Sequence, residues 1–142
     1  DLGDRLIRIT SAFAEDGPVI VIGSDSPTLP GERLNEAARV LESADVVLGP
    51  TLDGGYYLVG VRRPTPEIFR DIPWSTDRVW PETLARLVQT GAEWRELPTW
   101  YDLDTADAVC RWHAGDPRGD DAPHTRAAVR EQADVLGVPD TE

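Results

Sequence analysis

The chain reads as an α/β domain, and three observations carry that reading. Short, wholly apolar runs, "VIVIG" at 19–23 and "DVVLG" at 45–49, have the composition of strands covered on both faces. Around them stand amphipathic stretches with apolar residues every three or four positions. The two kinds of segment alternate, the order expected of helices packed on a largely parallel sheet. In such sheets ligands bind outside the carboxyl ends of the strands.

Residues 2–14 place Leu2, Leu6, Ile9 and Phe13 on one helical face, and Asp16-Gly17-Pro18 stops that helix. The strand 19–22 follows. Residues 30–44 predict a second helix, with Pro30 near its start and Leu34, Ala37, Ala38 and Leu41 on one face. "DVVLGPT" is the next buried strand. After a diglycine turn comes a third, in which Tyr57, Val59 and Val61 alternate with Tyr56, Leu58 and Gly60. Residues 66–72 predict a short helix. A longer one follows Trp74, with Ser75 or Thr76 as N-cap and Gly91 as its stop. Pro81 in its interior predicts a kink, or two helices meeting near Trp80. "EWRELPTWYDLDT" reads as extended, and residues 105–115 as a helix capped by Thr105 or Asp104. The polar stretch 115–124 reads as an exposed loop, and residues 125–138 as one more amphipathic helix. The organisation expected is therefore one domain over 1–112, a loop or linker over 113–124 and a peripheral helix within 125–142.

A length of 142 residues suits one domain with a single core. The net charge of −12 argues against a nucleic-acid backbone or an anionic membrane surface as partner. It leaves nucleotides open, since a bound divalent cation can meet their phosphates. The single cysteine, Cys110, rules out an intrachain disulfide and a cysteine-rich zinc site. No signal peptide is visible, and no apolar run nears the roughly 20 residues of a membrane span, so a cytoplasmic setting is expected. The chain holds no methionine and starts at Asp1, which reads as a processed chain or part of a longer one.

Acids recur just after predicted strands: Asp25 in "GSDSP", Asp53 in "TLDGGYY", Asp102 and Asp104 in "YDLDTAD". Mg²⁺ is usually held by one or two carboxylates plus substrate phosphates, and carboxylates from different strand ends would supply that. Each acid also has a local alternative. Asp25 can cap the turn at Ser26-Pro27, Asp53 suits the turn before Gly54-Gly55, and Asp104 can cap a helix. Gly54 and Gly55 either let a ligand approach the backbone or supply a turn. Trp74-Ser75 is a helix start that can also face substrate. Trp100 and Tyr101 can stack on a sugar or base, or pack in the core. His113 and His124 have no evident partner and are expected in solvent.

The joint pattern "GSDSPTL", "DVVLGPTLDGGYYLVGVRRP", "IPWSTDRVWPETL" and "LPTWYDLDTADAV" resembles a bacterial family of nucleotide-diphospho-sugar-transferase-like proteins. The family is often catalogued as a domain of unknown function, with some members labelled arsenosugar biosynthesis glycosyltransferase. The resemblance covers residues 1 to about 112. It implies a Rossmann-like three-layer α/β/α sandwich of glycosyltransferase-A type, similar also to molybdenum-cofactor and phospholactate nucleotidyltransferases. It further implies a metal-dependent transfer from a nucleotide-activated donor, with Asp25 and Asp53 as catalytic acids. Mg²⁺ or Mn²⁺ would be held by Asp25 and Asp104. Ser24, Gly54, Gly55, Tyr56, Trp74 and Ser75 would face substrate. The element Asp104-Thr105-Ala106-Asp107 departs from the related "D-T-P-E-D" by Ala for Pro and Asp for Glu, and keeps the first acid.

Relatives begin with a strand and a basic glycine loop upstream of "DLGDR". The chain is therefore expected to be the C-terminal part of a larger domain that lacks the first strands, with a sheet edge able to pair with another chain. The partners implied are a nucleotide sugar or nucleotide and a small-molecule acceptor, with a homo-oligomer possible. Two other functions stay open: a nucleotidyltransferase releasing pyrophosphate, and a non-catalytic binding or assembly module.

Overall fold

The computed structural model describes residues 1–13, 16–115 and 122–132. Within them the elements run α1 (Leu2–Phe13), β1 (Val19–Ile22), α2 (Gly31–Val40), β2 (Val46–Pro50), β3 (Tyr56–Val61), a short 3-10 helix (Pro66–Phe69), α3 (Val79–Thr90), β4 (Trp94–Glu96), α4 (Ala106–Gly115) and α5 (Pro123–Glu131). Six residues of the expected polar loop, 116–121, and the last ten of the chain lie outside the described residues. The chain divides into two compact units. One comprises Asp1–Gly23 and Pro30–Tyr101, the other Ser24–Leu29 and the chain from Asp102 onward.

The first unit is built on a four-stranded sheet in the order β1-β3-β2-β4. β3 runs antiparallel to both β1 and β2, while β2 and β4 are parallel. Three strands therefore point one way and β3 alone points back, which corrects the expectation of a largely parallel sheet. The cause is the connection. Only residues 51–55 join β2 to β3, and so short a link can join only antiparallel neighbours, whereas a parallel crossover needs a dozen residues or more.

Helices cover both faces of this sheet. Leu6 of α1, Val46 and Leu48 of β2, Val59 and Val61 of β3, Ile68 and Phe69 of the 3-10 helix and Leu87 of α3 form one buried cluster. On the opposite face a Cβ at Gly60 would stand 2.9 Å from Leu41, just beyond α2, and 3.3 Å from Ile20. The unit is thus the three-layer α/β/α sandwich that the resemblance implies. β1 is an edge strand, only partly buried, with Ile22 46% exposed. Its apolar run had predicted cover on both faces. Composition alone cannot separate an interior strand from an edge that is free within the described residues.

Two more local readings change. Gly49 pairs with Leu58 and Pro50 with Tyr56, so Tyr57 is the extra residue of a bulge. The bulge ends the predicted alternation, and Tyr56 packs on the same cluster as Val59 and Val61. α3 starts at Val79, later than Ser75 or Thr76, and has no side-chain cap. Its first amide groups are taken by carbonyls instead: Val79 donates to Thr76 and Trp80 to Gly54, at 3.3 and 2.8 Å. Pro81 then falls in the first turn, where its missing N–H removes no helical bond, so one helix suffices. Gly91 ends it in the left-handed conformation at φ 68°, as predicted.

In the second unit α4 and α5 meet where Arg126 lies over Trp112. Trp112, His113, Arg126 and Val129 are buried, and the Arg126 guanidinium lies 4.4 Å from the centre of the Trp112 ring. His113, 7% exposed, is therefore not the solvent-facing residue expected. His124 is exposed. No helix among the described residues is long and apolar enough to cross a membrane.

Candidate functional site

The second unit brings together two stretches that are 76 residues apart in sequence. In "GSDSP" the chain turns through Ser26, whose carbonyl accepts the Leu29 amide at 3.1 Å. Ser26 is buried, while Ser24 and Asp25 on its N-terminal side are exposed. The Ser26 hydroxyl donates to Asp102 Oδ1 at 2.8 Å. The Leu103 amide donates to the Asp25 carbonyl, also at 2.8 Å. Asp25 and Asp104, the two acids expected to hold metal, are therefore attached to backbone paired within one residue of each other.

Thr105 caps α4, its Oγ1 accepting the Ala108 amide at 3.1 Å. Asp104 is thus not needed as the cap, and its side chain is exposed. Asp25 lies outside the Ser26–Leu29 turn. Two exposed carboxylates on paired backbone suit a hard cation that completes its shell with phosphate and water oxygens. Among the described residues, no group of three or more His, Cys, Asp or Glu side chains is placed to hold a metal ion. Asp25 and Asp104 supply two carboxylates only, so a cation held there would need further oxygens from outside the protein.

The sheet unit holds the other expected site residues in a different state. Asp53 Oδ1 accepts both the Thr51 hydroxyl and, at 3.1 Å, the Gly55 amide, which makes it the organiser of the β2–β3 turn. Gly54 has φ 92°, and a Cβ there would sit 2.7 Å from the Asp77 carbonyl oxygen. Its freedom lets the turn lie against the backbone that starts α3. Tyr56 and Trp74 meet edge to face, with ring centres 6.2 Å apart. The Tyr56 hydroxyl is buried beside Thr83. Burial pushes its phenol well above the usual value, and the Thr83 hydroxyl offsets this in part. Ser75 is exposed in the left-handed region at φ 63°.

Tyr57 fits over Gly49, where a Cβ would stand 2.3 Å from its ring, and its hydroxyl donates to the Pro98 carbonyl at 3.1 Å. Burial raises its pKa too. Trp100 and Tyr101 stack on each other at 5.2 Å between ring centres. Two shallow hollows of about 500 and 400 Å³ lie elsewhere in this unit, around Asp45-Arg63-Glu67 and Arg70-Asp71-Arg86. Neither includes any expected site residue. Asp102 and Ser26 are the functional neighbours that the motifs do not single out. Both stand inside the motifs, yet nothing local reveals that they bond each other.

A protein from Desulfovibrio desulfuricans G20, provisionally named a nucleotide-diphospho-sugar transferase, has a crystal structure similar to this one. The TM-score is 0.82 and the sequences are 30% identical. The similarity covers 100% of this chain and 64% of that one, so the chain spans just under two thirds of that protein's length. The mixed α/β fold is thus of the nucleotide-diphospho-sugar-transferase type. No curated protein matches the sequence. Residues 1–76 match the family described as uncharacterized protein conserved in bacteria, DUF2064. That stretch is more than half of the 142 residues and includes "GSDSP" and "DGGYY", so the chain belongs to this family.

Proposed function

We propose that the chain carries the metal and donor site of a transferase that moves a glycosyl group from a nucleotide-activated donor. The observation that carries this reading is the pairing of the Asp25 loop with the Asp104 segment through the Leu103 amide. In it, Asp25 and Asp104 would hold a Mg²⁺ or Mn²⁺ ion. When bound, the ion would supply charge neutralisation and Lewis acidity for a diphosphate leaving group. The residues of the chain do the rest. The carboxylates orient the ion, and the buried Ser26 turn keeps the Asp25 loop in place. The fold of the D. desulfuricans protein, with its provisional transferase name, supports the same class of donor.

The test is a titration with nucleotides and nucleotide sugars, with and without Mn²⁺, followed by the fluorescence of the five tryptophans. Saturable binding that needs Mn²⁺ is expected for one nucleotide class. Asp25→Asn is expected to lose at least tenfold in that affinity while keeping its melting temperature. Binding that ignores Mn²⁺ and survives Asp25→Asn would remove the site assignment.

A further inference from the structure

Asp102 lies between the chemistry and the scaffold. It is two residues from Asp104, and its Oδ1 accepts the hydroxyl of buried Ser26, the neighbour of Asp25. The Leu103 amide, one residue on, bonds the Asp25 carbonyl. These two bonds clasp a turn to an extended stretch, and neither partner lies in a strand or a helix. Holding such backbone in one conformation costs conformational entropy. A carboxylate-to-hydroxyl bond, with an ionised acceptor, is among the stronger ways of holding it.

We infer that Asp102 is a positioning residue. Through Ser26 it holds the Asp25 loop against the Asp104 segment, so that the two exposed carboxylates are offered in one arrangement, and it is not itself a metal ligand. This rests on the reading of Asp25 and Asp104 as the metal pair. Partners of this outer kind commonly change metal affinity 10–100-fold when removed.

The experiment uses the isotope-labelled full chain in four forms: wild type, Ser26→Ala, Asp102→Ala and Asp102→Asn. Each is titrated with Mn²⁺, first alone and then with inorganic phosphate present to complete the shell. Paramagnetic broadening of amide signals reads binding, and hydrogen exchange of the Leu103 amide reads the clasp. In the wild type, saturable broadening is expected around residues 25 and 104, with a protected Leu103 amide. Ser26→Ala and Asp102→Ala are expected to bind Mn²⁺ about tenfold more weakly and to exchange Leu103 faster. Asp102→Asn is expected to fall between wild type and Asp102→Ala on both readouts, since its amide oxygen still accepts the Ser26 hydroxyl but without the charge.

If Asp102→Asn loses Mn²⁺ as severely as Asp102→Ala while Leu103 stays protected, Asp102 is a ligand and the inference is overturned. Unchanged binding in Ser26→Ala and Asp102→Ala overturns it as well. A wild type that takes up no Mn²⁺ overturns the metal reading and the positioning role built on it. Leu103 distinguishes that result from a failure of the clasp, because its protection still falls in Asp102→Ala if the clasp exists.

Discussion

The two units use their motif residues differently. In the sheet unit, the "DGGYY" and "PWST" residues are largely occupied by structure: Asp53 closes a turn, Gly54 admits the α3 backbone, and Tyr56 and Trp74 pack together. In the second unit the work of folding falls to neighbours. Ser26, Leu103 and Thr105 make the turn, clasp and cap, while Asp25 and Asp104 remain exposed. A motif residue is thus a better candidate for chemistry when an adjacent residue already performs the structural task. Asp53 and Asp25 looked alike in sequence, each an acid after a strand, and their surroundings separate them.

The contrast can be broken most forcefully at Gly54. Gly54→Ala meets both a positive φ and the Asp77 backbone at 2.7 Å, and it is expected to cost about 3 kcal/mol. Urea unfolding measures this, and a loss below about 1 kcal/mol would show that the turn can move away. A smaller effect is expected at Asp53. Asp53→Ala forfeits the bonds from Thr51 and Gly55, about 1 kcal/mol in the same assay, whereas Asp25→Asn leaves stability unchanged. Equal losses at the two acids would erase the distinction between the units.

The smallest effect is a pH dependence at the start of β2. The Arg62 hydrogen bond first, then the Glu93 amide, hold the Asp45 carboxyl below its usual 3.8, against the desolvation that raises it. Since the folded value lies below the unfolded one, its contribution is present above about pH 4 and fades as pH falls through the folded value. Asp45→Asn should therefore be less stable than wild type at neutral pH, with the gap closing in acid. The gap is small because the Arg62 and Asp45 side chains keep 32% and 36% of their surface in solvent. A gap constant from pH 7 to pH 3 would assign it to packing instead.

Much of the fold was legible in sequence, because helix periodicity and turn chemistry are written over a few residues. The spacing of Leu2, Leu6, Ile9 and Phe13 announced a helix at α1, although of the four only Leu6 is buried and the packed face is Gly3, Leu6 and Thr10; Gly91 announced the end of α3. The readings that changed depended on distant partners. Ser75 and Thr76 resemble caps, but α3 starts only where Gly54 supplies a carbonyl. His113 resembles a surface histidine in sequence, yet it is buried.

The sequence by itself determined the alternation of helices and strands, the positions of the turns and which residues carry acids. Those depend on side-chain period, glycine and proline, which act locally. Only the tertiary structure decided that β3 runs against its neighbours, that β1 is an edge and that Ser26 reaches Asp102 across 76 residues. Such pairings follow from how the assembled chain buries apolar surface and satisfies its backbone, which no short window of sequence contains.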